Sequence, residues 1–208
     1  MFGVIIGIDI KDFTKITRTN EMLVQREQLV QIINTGTAQI EAYKKRKILD
    51  TGDGCYILID SLDYENILLG LKKIQSVANE KGALKFRGIV HVGRFEKTTK
   101  MLDANIADES YVGEGINDAS RYLNAQCLRD MLKMNTHNFV YGISNEFYMQ
   151  IFYQQYHVDS EYTRYIFKAE EYSNQIFLNN VNIDYLPNTG DNIKDSNNKK
   201  EDLARLWY

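Results

Sequence analysis

Short β-branched runs and helical stretches follow one another in this chain in the order β-α-β-β-α-β-α-β, with a late αββ. Antiparallel hairpins stand among the helical connections, and no long series of βαβ units appears. That pattern argues for an α+β sandwich built on a ferredoxin-like βαββαβ core. The first run, FGVIIGID (2–9), is apolar, β-branched and ends on a carboxylate. It reads as a buried strand followed by a sharp polar turn. From 21 to 46, Met22, Leu23, Leu29, Ile32, Ile33, Ala38 and Ile40 recur at helical spacing, giving one long helix or two broken near Gly36. Residues 47–60, KILDTGDGCYILID, set two β-rich runs around Asp50-Thr51-Gly52-Asp53-Gly54, a hairpin with an acidic, glycine-rich turn. A helix is expected over 62–80 and a strand over 84–95. The stretch 96–110 reads as polar and irregular, and 112–134 as a helix entered through Gly113-Glu114-Gly115. A strand over 137–143, a helix over 145–156 and strands over 162–168 and 175–178 follow.

With 208 residues, 44% hydrophobic and 25% charged, the chain suits one ordinary folded domain. That domain is placed at 1–186. Residues 187–208 read as a polar, mobile tail ending in the apolar LARLWY, which can dock elsewhere. A formal charge of −3 lacks the basic excess of a duplex-DNA binder, so no nucleic-acid partner is expected. Cys55 and Cys127 are too few and scattered for a disulfide framework or a zinc site and read as buried thiols. His91, His137 and His157 show no paired helical spacing, so each reads as structural. The apolar start is too short for a membrane span and lacks the basic flank of a signal peptide. A cytoplasmic protein with no membrane partner is therefore expected.

Two carboxylates stand where chemistry is favoured. Asp9 sits where a buried strand runs out, and Asp53 at a hairpin tip flanked by glycines. Oxygen ligands at strand ends, with little bulk nearby, suit Mg²⁺ or Mn²⁺ bound to phosphates. Two such ions activate a hydroxyl and clamp a triphosphate. Either Asp alone is a weak signal, because Asp-Gly turns and capping aspartates are common. Ile10-Lys11-Asp12-Phe13-Thr14 forms a tight turn into a helix, whose backbone N–H groups can cradle phosphate oxygens. Arg94 ends a strand, where an arginine can grip phosphate bidentately. Asn117 and Arg121 lie four apart and share a helical face. An amide and a cation so placed can orient a ribose and stabilise charge on a transferred phosphoryl group. A solvated helix face remains the plainer reading of that stretch in isolation.

The segments IGIDIKDFTKIT, ILDTGDGCYIL, RGIVHVGR and VGEGINDASRYLNA resemble, in order and spacing, the class III nucleotidyl cyclase catalytic domain. The resemblance implies that Asp9 and Asp53 are metal ligands for two Mg²⁺ or Mn²⁺ ions, with the Ile10 carbonyl as a further ligand. It implies Arg94 as the triphosphate-binding arginine and Asn117 and Arg121 as the pair that positions ribose and stabilises the transition state. Phe13 and Thr14 fall in the phosphate-binding turn. Lys168, in YIFKAEE, resembles a late phosphate-binding lysine, although the glycine that follows it in the family is absent. The implied reaction is attack of a nucleoside triphosphate's 3′-hydroxyl on its α-phosphorus, with pyrophosphate leaving. The implied assembly is a head-to-tail homodimer with shared active sites, aspartates from one subunit meeting Asn/Arg from the other.

Two positions depart from the family's purine codes. Leu49 stands where adenylate cyclases usually carry Lys, and Ser110 where they carry Asp or Thr and guanylate cyclases carry Cys. Leu49 makes no hydrogen bond to a base, and Ser110 can donate or accept once. The site is then lax about its base or reads a different one. Short cyclases with eroded purine codes resemble the pyrimidine cyclases of bacterial Pycsar anti-phage systems, whose cyclic UMP or cyclic CMP activates a separate effector protein. UTP is favoured under that resemblance and CTP comes next, with Tyr43, Tyr56 or Tyr111 supplying bulk. The rival readings are an adenylate cyclase making cyclic AMP, a non-catalytic nucleotide-binding cyclase homologue that regulates a partner, and a structural α+β adaptor. A palm-domain polymerase shares the fold and two metals, but the NxAxR helix favours cyclisation.

Overall fold

The computed structural model describes residues 1–16, 18–82, 84–103, 106–153, 162–169, 172–179 and 192–195. An eight-stranded sheet forms its centre, in the order β10-β8-β9-β7-β4-β1-β3-β2. The strands are β1 (Phe2–Ile10), β2 (Lys47–Asp50), β3 (Gly54–Ile59), β4 (Phe86–Arg94), β7 (Phe139–Ser144), β8 (Tyr162–Ala169), β9 (Tyr172–Asn179) and β10 (Asn192–Asp195). The helices are α1 (Thr19–Thr37), α2 (Glu41–Lys44), α3 (Tyr64–Lys81), α4 (Glu114–Leu123), α5 (Gln126–Met134) and α6 (Asn145–Tyr153). The expected mixed α+β class is the observed one.

β1 is apolar on both faces because it is covered on both. It pairs antiparallel with β3 on one side and with β4 on the other. Side chains alternate across a strand. Val4, Ile6, Ile8 and Ile10 therefore enter the core shared with Leu29, Ile33, Leu71 and Ile74 of α1 and α3. Ile5 enters the opposite core, with Ala119, Tyr122 and Leu123 of α4 and Leu128 and Met131 of α5. A Cβ on Gly7 would stand 3.3 Å from a Leu123 methyl, so Gly7 too faces α4. The same parity directs Asp9 toward α4 and α5. β3, α3 and β4 form a split βαβ with β1 inserted, whereas β4 and β7 are parallel neighbours joined through α4 and α5.

Local signals explain the helix limits. Asp63 caps α3 by accepting the Asn66 N–H at 3.3 Å, and Gly82, at φ 68°, ends it in the left-handed region. The expected break in the 21–46 stretch falls after Thr37, at Ala38, rather than at Gly36. Gly36 stays helical because α1 and α3 meet there, and a Cβ would lie 2.8 Å from the Ile74 backbone nitrogen.

Two expectations are corrected. Residues 96–110 are not irregular: β5 (Glu96–Asp103) and β6 (Ile106–Val112) pair antiparallel as a separate two-stranded ribbon. Apolar alternation marks a strand that buries one face, and the mostly polar ribbon lacks that mark. The 112–134 helix is two helices. Ala125 is extended at φ −59°, ψ 138°, and the Asn124 side chain donates to the Ser120 carbonyl at 3.0 Å, closing α4. Within the expected tail, Asn192–Asp195 pairs antiparallel with β8, and the rest of 187–208, LARLWY included, lies outside the described residues. No helix among the described residues is long and apolar enough to cross a membrane.

The α1–α3 contact gives a direct test. Gly36→Ala should destabilise the fold by about 1–3 kcal/mol, the usual range for overpacking a close contact. Urea unfolding followed by far-UV circular dichroism should show a lower midpoint with an unchanged slope.

Candidate active site

Strand pairing builds the site at the end of β1. Asp9 lies opposite Gly54 of β3 and Arg87 of β4. The Ile10 N–H donates to the Asp53 carbonyl at 2.9 Å, which ties the hairpin turn to the strand end. The turn holds its own shape: the Gly52 N–H donates to Asp50 Oδ1 at 2.7 Å and the Thr51 hydroxyl to Asp53 Oδ1 at 3.2 Å. Gly52 adopts φ 88°, a conformation glycine takes without penalty. Arg26 of α1 pairs with Asp50 and braces the hairpin from behind. Past Ile10 the chain reverses at Asp12, in the left-handed region at φ 59°, into a short 3₁₀ turn over Phe13–Lys15. Phe13 is buried and anchors that turn in the core, while Thr14 stays open.

These parts line one cleft of about 380 Å³. Asp9, Ile10, Asp53, Phe13 and Thr14, all expected at the site, meet there. Four cations that sequence reasoning did not assign also line it: Lys11, Arg87, Arg129 and Lys133. Arg87 was legible as a charge set between Phe86 and the apolar run that follows in strand 84–95, where a charge needs a partner. Arg129 and Lys133 carried the i,i+4 signal of one helical face.

Arg87 Nη2 lies 2.6 Å from Asp9 Oδ2, with both side chains largely buried. Burial pushes the Asp9 carboxyl above its ordinary range; the Arg87 guanidinium pulls it back and the Asp53 charge pushes it further up. A desolvated carboxylate beside a second one is short of positive charge, which suits a divalent cation. The oxygens expected to hold such an ion, the two carboxylates and the Ile10 carbonyl, are hard donors, and their residues line the cleft. Among the described residues no cluster of three or more His, Cys, Asp or Glu is poised for a metal. Two carboxylates suit an ion that keeps water and phosphate oxygens in its shell, as Mg²⁺ does. Cys55 and Cys127 are buried free thiols, each pushed up to about 12 by burial, and behave as inert core residues.

The other expected residues lie elsewhere. Asn117 and Arg121 are exposed on α4, outside the cleft lining, and Arg121 pairs with Asp118 at 2.9 Å. Arg94 lies opposite Phe2, at the far end of β4 from Arg87, about 23 Å away at the rise of a strand. Leu49 lies opposite Tyr56 and packs against the α4-side core, and half-buried Ser110 lies opposite Thr98. Tyr56 and Tyr111 belong to the same core. Tyr43 does not: it is fully buried in the opposite layer, its hydroxyl donating to the Ile67 carbonyl at 2.8 Å. The expectation that Tyr43 narrows a base pocket is therefore withdrawn. Lys168 stands in β8 opposite Ser173, with β9 and β7 between it and β4.

The sequence matches no protein-family model, and comparison with curated proteins finds no match. Solved structures do match. The guanylate cyclase domain of RhGC from Catenaria anguillulae, in complex with GTP, superposes with a TM-score of 0.59 at 14% identity, over 86% of this chain and 96% of that one. An adenylate/guanylate cyclase/hydrolase from Silicibacter pomeroyi gives 0.54 at 14% identity, over 86% and 96%. An adenylate cyclase from Trypanosoma brucei gives 0.55 at 12% identity, over 88% and 89%. The chain has the class III cyclase fold.

In this cyclase fold, α4 is latched to the sheet beside Arg121. The Tyr122 hydroxyl donates to the Glu146 carboxylate at 3.0 Å, and His91 Nδ1 lies 2.9 Å from Ser144 Oγ and 3.6 Å from Glu146 Oε2. Buried His91 is thus structural, as expected. His137 contacts Asn79, and His157 lies outside the described residues. Burial opposes ionisation of Glu146. The hydrogen bonds it accepts from His91, the backbone and Ser144 outweigh that and hold its carboxyl at about 2. A lowered folded-state value means that its stabilisation is complete above the ordinary value near 4.5 and is lost as pH falls toward about 2. The melting-temperature gap between wild type and Glu146→Gln should therefore be widest near neutrality and close as the pH is lowered through that window. Calorimetry across a pH series reads it directly.

Proposed function

We propose that this chain is a nucleotidyl cyclase that converts a pyrimidine nucleoside triphosphate, UTP before CTP, into its 3′,5′-cyclic monophosphate and pyrophosphate. The observation that carries the reading is the division of the chemistry. Asp9 and Asp53 line one cleft, while Asn117 and Arg121 stand exposed outside it. Neither half is sufficient alone, and a head-to-tail homodimer supplies each cleft with the other subunit's α4. Similarity of fold to guanylate and adenylate cyclases supports the same reaction class.

Asp9, Asp53 and the Ile10 carbonyl would hold two Mg²⁺ or Mn²⁺ ions, which supply Lewis acidity to the 3′-hydroxyl and to the phosphate oxygens. The turn carrying Phe13 and Thr14 borders the phosphates. Asn117 from the second subunit orients the ribose, and Arg121 stabilises charge growing on the α-phosphoryl group. Arg94, a strand length from Asp9, meets the phosphates only as the second subunit's contribution, and Lys168 is assigned to the phosphates by resemblance alone. Base choice is assigned to Leu49 and Ser110. An apolar side chain at 49 leaves a purine's polar edge unpaired. Tyr56, opposite Leu49, and Tyr111, in the core that Leu49 packs against, supply bulk beside Leu49. The product acts as a cytoplasmic second messenger on a separate effector in anti-phage signalling.

The purified chain, incubated with Mn²⁺ and each of ATP, GTP, CTP and UTP, should yield cyclic UMP as the main product by mass spectrometry. A dominant cyclic AMP or cyclic GMP would remove the pyrimidine assignment, and no cyclic product from any triphosphate would remove the cyclase assignment. Asp53→Ala and Arg121→Ala should each lower the rate at least about 100-fold. Mixed in equal amounts, they should recover about a quarter of wild-type activity, because half the dimers are mixed and each holds one intact site.

A further inference from the structure

The cleft wall facing Asp9 and Asp53 is α5, and no function is yet attached to it. Arg129 and Lys133 stand one helical turn apart on α5 and both line the cleft. Lys11 and Arg87 line it from the sheet side. Arg87 is engaged by Asp9. Arg129 is braced by Asn124 Oδ1 at 3.0 Å, a neutral partner that orients the guanidinium without cancelling its charge. Lys133 reaches Asp130 at 3.5 Å with its side chain 60% exposed, a pairing that solvent makes weak. Four cations thus face three carboxylates, and Asp9 and Asp53 are already assigned to metal ions. With those ions bound, the cleft carries a large positive excess, and a bound polyphosphate is the group whose charge offsets it. Arg94 cannot supply this charge within the same subunit.

We propose that Arg129 and Lys133 bind the polyphosphate tail of the substrate in the cleft of their own subunit, holding the phosphates that depart as pyrophosphate. The inference rests on the cyclase reading and adds the residues that bind the leaving group. Arg129 offers a planar fork that can grip two phosphate oxygens, and Lys133 a mobile point charge. The α4–α5 break is part of the arrangement: the Asn124 amide donates to the Ser120 carbonyl and accepts from Arg129, so the corner that ends α4 also aims the guanidinium.

Binding of inorganic tripolyphosphate in the presence of Mg²⁺, measured by calorimetry on the full chain, tests this. Arg129→Ala and Lys133→Ala should each weaken it about tenfold, the scale of one lost hydrogen bond to a charged group, and Arg129→Lys should recover part of the loss. Lys81→Ala, an exposed charge at the end of α3, should bind as wild type. In turnover, the Arg129 and Lys133 variants should raise KM more than they lower kcat. Tripolyphosphate affinity unchanged in both alanine variants, or lowered equally by Lys81→Ala, overturns the proposal. Lys133 is exposed enough for its variant to fold, which a thermal melt verifies. A wild type that makes cyclic nucleotide while both variants bind normally would leave the cyclase reading standing without this inference. A wild type that makes none, yet binds tripolyphosphate through Arg129, would remove the cyclase reading and the leaving-group role, and leave Arg129 and Lys133 as a polyphosphate site alone.

Discussion

A single cross-strand pair, Asp9 with Arg87, sets the frame of the site. β1 is hydrogen-bonded along both edges and packed on both faces, so its register against β3 and β4 has no freedom to slip. That register fixes which residue ends the strand on the α5 side and which residue of β4 meets it. A carboxylate in so dry a position is costly without a cation beside it, and Arg87 supplies one. The same register lays Gly54 opposite Asp9, which carries the Asp53 turn to the strand end. Two acids separated by most of the chain's first quarter thereby come to share one cleft.

The two layers of helices do different work. α1 and α3 form a dense apolar support, with Tyr43 sealed inside it by a hydroxyl bond to the α3 backbone. α4 and α5 cover the other face and carry Arg121, Arg129 and Lys133. Their attachment is correspondingly more polar: Tyr122, Glu146, His91 and Ser144 pin α4 to β4 and to the start of α6. This network gives α4 a rigid backing next to Arg121, as its proposed role at the substrate would require.

Much of this was legible in the chain itself. The unbroken apolar run of β1 reveals a buried strand, and the Asp-Thr-Gly-Asp-Gly turn reveals a hairpin, because each signal is local and chemically sharp. Asp9, Ile10, Asp53, Phe13 and Thr14 converge as anticipated, since all lie within a few residues of those features. The β5–β6 ribbon escaped because it lacks the apolar alternation of a half-buried strand. The break at Asn124 escaped because helical periodicity runs through it and no glycine or proline marks it. Lys11, Arg87, Arg129 and Lys133 escaped for another reason: the local signals at Arg87 and at the Arg129–Lys133 pair mark a charge, but its role depends on what the fold sets opposite it.

The corner at Asn124 carries a mechanical consequence. On its upstream side lies Arg121, which under the proposed function would reach across to the neighbour's nucleotide. On its downstream side lies Arg129, which stays at home. One amide side chain bonds to both arms. In the proposed dimer, phosphate held by Arg129 in one pocket and the α4 arm entering the other would meet at this single amide, so the Asn124 corner would couple the twin pockets.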